Sequence, residues 1–62
     1  MHIANNDLPK VKAKICQALS TINDGAKRCD LEVDIGDDIN PLIITAYQVK
    51  EILRIDLRIK NE

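Results

Sequence analysis

Leu42-Ile43-Ile44-Thr45-Ala46-Tyr47-Gln48-Val49-Lys50-Glu51-Ile52-Leu53 decides the fold of this chain, because it can be read with two periods. Read as a helix, it places Leu42, Ala46, Val49 and Leu53 on one face, with Ile52 beside them. Thr45 and Gln48 then have the spacing of a capping box, and Ile44 and Val49 stand where a hydrophobic staple would. Read as a strand over 42–49, the segment has β-prone Leu42-Ile43-Ile44-Thr45 in its favour. That strand would have to return through a hairpin, and no turn residue lies between Val49 and Arg54. The helical reading is therefore expected, with the helix starting at Pro41 or at Thr45.

The flanking segments carry clearer patterns. Upstream, Leu8, Val11, Ile15, Leu19 and Ile22 follow 3, 4, 4 and 3 spacing, with Ala18 alongside, which is one face of a helix over residues 8–24. Asp7 precedes it as an N-cap residue, Pro9 falls in its first turn, and Gly25 suits the C′ position that ends it. Cys29-Asp30-Leu31-Glu32-Val33-Asp34-Ile35 alternates apolar and acidic residues, the period of a half-buried strand. Arg54-Ile55-Asp56-Leu57-Arg58-Ile59-Lys60 alternates in the same way. Read as a helix it would put Asp56 and Lys60 inside the apolar stripe, so it too reads as a strand.

The expected architecture is a small mixed α+β domain in the order α-β-α-β, with both helices on one face of a small sheet. Residues 1–6 read as a flexible polar arm, and residues 7–62 as a single globular domain. Asp30, Glu32 and Asp34 on one strand would face Arg54, Asp56, Arg58 and Lys60 on the other. That pairing argues that the two strands are neighbours, made parallel by the helix between them. Two strands form a marginal sheet with open edges. A homo-oligomer, a dimer above all, would continue the sheet and cover it.

A 62-residue chain buries only about 60% of its unfolded surface and usually relies on a disulfide, a metal or a partner chain. The opening residues have neither the basic nor the apolar region of a signal peptide, and no apolar run approaches a membrane span. A cytoplasmic location is expected, with Cys16 and Cys29 as free thiols and no membrane partner. Two cysteines and His2 fall short of a zinc site. Asp34-Ile35-Gly36-Asp37-Asp38-Ile39-Asn40 has carboxylates for Ca²⁺ or Mg²⁺ but lacks the EF-hand spacing, and reads as a polar turn. No cofactor and no metal are expected.

The apolar content is 45%, with ten isoleucines, one Tyr, no Phe and no Trp, and the net charge is −1. This balance gives no global drive toward nucleic acid or membrane. Phosphate-binding, metalloprotease and redox motifs are missing, and Ser20 and His2 are badly placed for a triad. No enzymatic activity is expected. The candidate binding residues are Lys10, Lys12 and Lys14 in the first helix, Lys27 and Arg28 after it, Tyr47 as the sole aromatic, and Arg54 and Arg58 on the last strand. Elimination leaves a self-associating, non-catalytic interaction protein that binds another macromolecule as an adaptor or inhibitor. One alternative is a nucleic-acid-binding regulator that uses the lysines of the first helix. Another is an oligomer that holds a small anionic ligand or nucleotide between subunits.

Overall fold

The computed structural model describes residues 3–36 and 40–60. Its elements are a 3₁₀ turn at Asn5–Asp7, helix α1 at Leu8–Asn23, and strands β1 at Arg28–Val33, β2 at Leu42–Val49 and β3 at Ile52–Ile59. The strands form one sheet in the order β1-β2-β3, and both pairings are antiparallel.

This order corrects the expected α-β-α-β arrangement. Among the described residues there is one helix rather than two, and the order is α-β-β-β. The segment that decides the fold is the central strand. Its chain reverses at Lys50-Glu51, a two-residue hairpin turn set by the pairing of Val49 with Ile52. Lys50 takes φ 57° there, the left-handed conformation that such turns demand and that Gly or Asn more often supplies. With no crossover helix, the neighbouring strands run antiparallel. The acidic strand and the basic strand are not direct neighbours either, since β2 lies between them.

α1 forms as its spacing requires, and its end is a Schellman motif. Gly25 N–H donates to Ile22 C=O at 3.0 Å and Ala26 N–H to Thr21 C=O at 3.2 Å, while Gly25 adopts φ 113°. At the other end Asp7 makes no side-chain capping bond. Its carboxylate is buried instead, where Lys10 Nζ lies 3.6 Å away. The same carboxylate occupies the space a side chain on Gly36 would need: a Cβ there would come within 2.9 Å of Asp7 Oδ2. Ile3 packs against the core, and Asn5 and Asn6 enter the 3₁₀ turn that ends at Asp7.

The core lies between α1 and the sheet. It joins Val11 of the helix to Val33, Ile35, Leu42, Ile44 and Ile59, with Ile15 and Ile55 at its margin. Leu42, Ile44 and Ala18 are fully buried; Ala18, being small, lets helix and sheet approach closely. α1 sits over β1 and β2 rather than over β3. The described chain is therefore a thin slab, 36 × 23 × 14 Å. Its surface of 4636 Å² exceeds the roughly 4,000 Å² usual for a folded chain of this mass.

Candidate interaction surfaces

Alternation along the strands assigns each residue to one of two faces. On the face away from α1, the register stacks Arg28, Tyr47 and Arg54 in one row across the sheet, then Asp30, Thr45 and Asp56, then Glu32, Ile43 and Arg58. The structure thus brings together four of the residues singled out from the sequence: Arg28, Tyr47, Arg54 and Arg58. The sole aromatic is flanked by two guanidinium-bearing strands. Thr45 and Ile43 are buried even on this open face, Thr45 between Asp30 and Asp56 and Ile43 between Glu32 and Arg58.

The charges at the β1 edge are committed to partners within the chain. Arg28 Nε donates to Asp30 Oδ2 at 3.0 Å and Arg28 Nη2 to Asp30 Oδ1 at 3.4 Å. The Thr45 hydroxyl donates to the same carboxylate. The hydrogen bond from Arg28, followed by that from Thr45, holds the Asp30 carboxyl below its usual range, and the bond to Asp30 raises the Arg28 guanidinium in turn. Lys60 Nζ reaches across β2 to Glu32 Oε1 at 3.1 Å. Of the attraction expected between the acidic and basic segments, one ion pair forms, Glu32 with Lys60, and it spans an intervening strand. On β3, by contrast, neither Arg54 nor Asp56 forms a side-chain hydrogen bond or ion pair with another described residue.

The remaining basic candidates do not converge. Lys10 and Lys14 flank a shallow hollow shared with Glu32 and Asp34, while Lys12 lines a hollow on another flank of α1 with Leu8, Pro9 and Ile15. Lys27 and Arg28 follow the opposite end of the helix, about 14–20 Å further along its axis. Of the acidic segment 34–40, residues 37–39 lie outside the described residues. Among the described residues no group of three or more His, Cys, Asp or Glu is placed to hold a metal, and no helix is long and apolar enough to cross a membrane. Cys16 is exposed and Cys29 half-buried, both as free thiols.

The second surface is apolar, and sequence reading missed it. On the helix-facing side of β3, Leu53 is 45% exposed and Leu57 39%. Ile52 and Val49, at the hairpin, are 64% and 46% exposed. A shallow open hollow between the end of α1 and the hairpin is lined by Leu19, Ile22, Gln48 and Leu53. Leu8, at the start of the helix, is 48% exposed. One signal in the sequence pointed this way. Leu53, Ile55 and Leu57 alternate as inward-facing residues, and one helix is too narrow to roof three strands.

Comparison with known proteins matches no protein family to this chain and finds no similar curated protein and no similar solved structure.

Proposed function

We propose that this chain is a small, non-catalytic interaction protein that self-associates along β3 and acts by binding another macromolecule, as an adaptor or inhibitor in the cytoplasm. The observation that carries this reading is the uncovered inner side of β3, where Leu53 and Leu57 stay 45% and 39% exposed in so small a domain. Exposed apolar patches of this kind mark contact surfaces, and a sheet edge beside them offers unpaired backbone groups. The open face is the surface left for a macromolecular partner. It offers Tyr47 between Arg28 and Arg54, a pairing of aromatic and arginine residues common at binding hot spots.

Native mass spectrometry of protein purified without denaturation tests the reading, together with the 260/280 nm absorbance ratio. The expected result is a mass of two chains with nothing added. A monomer at all concentrations contradicts self-association. Two chains with added small-molecule mass would favour a ligand held between subunits. With one Tyr and no Trp, bound nucleic acid would dominate the absorbance and favour the basic residues of α1.

A further inference from the structure

We propose that two copies of the chain pair β3 with β3, antiparallel, about a two-fold axis through Ile55, giving one continuous six-stranded sheet. This inference rests on the self-association reading and specifies its interface.

The register follows from charge. In an antiparallel pair, residues directly opposite each other share a face of the sheet, so a two-fold axis must pass through a single residue of β3. With the axis at Asp56, that carboxylate meets its own copy and each Arg54 meets an Arg58, so every charged pair is like with like. With the axis at Leu57, Asp56 meets Arg58, but each Arg54 meets a Lys60. The pairing also shifts onto Ile59, which is already buried within its own chain. With the axis at Ile55, Arg54 of each copy stands opposite Asp56 of the other, twice over. On the inner face Leu53 then lies opposite Leu57 of the second copy, also twice, and Ile55 opposite itself. This register joins Arg54 and Asp56, which have no hydrogen bond or ion pair inside the chain, with the two leucines left open beside the helix, and it sets Arg58 opposite Ile52. It also overlaps seven of the eight residues of β3.

The other edge offers no comparable match. The charges of β1 already pair within the chain, Arg28 with Asp30 and Glu32 with Lys60, and α1 covers its inner face. The two-fold axis runs perpendicular to the sheet, so both helices lie on the same side. They flank a trough floored by Leu53, Ile55 and Leu57 of both copies.

Two sets of variants test the register, read by sedimentation equilibrium and by disulfide formation. R54D or D56R alone places like charges opposite each other twice per dimer and should weaken dimerisation about tenfold. The double variant R54D/D56R exchanges the charges and should restore it. In a chain carrying Cys16→Ala and Cys29→Ala, Leu53→Cys and Leu57→Cys each sit at an exposed position that tolerates substitution. Neither should cross-link to itself, because each lies about 13 Å from its own copy. A mixture of the two should give a heterodimeric disulfide. If the wild-type chain dimerises but the double variant is not rescued, or either cysteine variant cross-links alone, the register is overturned while self-association stands. A wild-type chain that stays monomeric at millimolar concentration overturns both.

Discussion

β1 and β3 lie at opposite edges of one sheet and carry the same alternation of apolar and charged residues, yet their surroundings differ. β1 is roofed by α1, and its charges close on each other and on Lys60. β3 enters the core at Ile59 but is left open over Leu53 and Leu57, and Arg54 and Asp56 face solvent without partners among the described residues. The period of a strand specifies which face must be covered. What covers it depends on how many helices the chain supplies, and here the described residues supply one.

Substitutions on the two sides should differ most. Ile44→Ala, beneath the helix, should cost about 2–5 kcal/mol, close to the whole stability of so small a domain. The variant should be unfolded by circular dichroism at 37 °C. Leu57→Ala, on the uncovered side, should cost about 1 kcal/mol or less in dilute urea titrations. Equal losses at the two sites would mean that the two strands are equally covered.

Gly36→Ala comes next, at about 1–3 kcal/mol. Gly36 has φ 51°, and a methyl group would press on the buried Asp7 carboxylate. Asp7→Ala in the same background should recover part of the loss. If Gly36→Ala leaves the urea midpoint unchanged, Asp7 does not hold that turn.

Lys50→Gly should stabilise the hairpin by about 0.5–1 kcal/mol, since a lysine in the left-handed region is strained and a glycine is not. The gain should appear as a higher urea midpoint with an unchanged slope. A loss would mean that Lys50 makes a compensating contact.

The smallest effect is one of pH. The Asp30 carboxyl is lowered in the folded chain, first by Arg28 and then by Thr45. Its contribution is therefore fully present above the ordinary carboxylate pKa of about 4 and is lost as pH falls through the lower folded value. Because the pair is exposed, that contribution is small. Asp30→Asn should flatten the stability profile slightly below about pH 4 and leave its shape near neutrality unchanged. An unaltered acid limb would remove Asp30 from the account.

The unequal surroundings of the strands also explain what could be read from the sequence. α1 was legible because its apolar spacing and Gly25 agree. The alternation of 29–35 and 54–60 marked the two edge strands, each half-exposed. β2 was not legible, because it is buried on both faces. Leu42, Ile44 and Ala46 lie beneath the helix, while Ile43 and Thr45 are buried between charged residues on the open face. Burial on both sides erases the period of two. What remains, at 42, 46, 49 and 53, imitates a helical stripe. Thr45 completed the illusion as an apparent capping residue, although its hydroxyl serves Asp30 on the neighbouring strand. The hairpin was hidden as well, since Lys50-Glu51 lacks the Gly or Asn that usually marks such a turn. Four of the candidate binding residues share the open face, but the apolar side of β3 emerged only once β2 had its place.

Amide hydrogen exchange of β1 and β3, measured on dilute and on concentrated protein, shows whether β3 is the edge at which two copies meet. Alternate amides of β3, those pointing away from β2, should exchange quickly at low concentration and become protected at high concentration, while the outer amides of β1 should exchange quickly at both. Protection that appears at β1 instead, or β3 amides that exchange alike at both concentrations, would contradict pairing along β3.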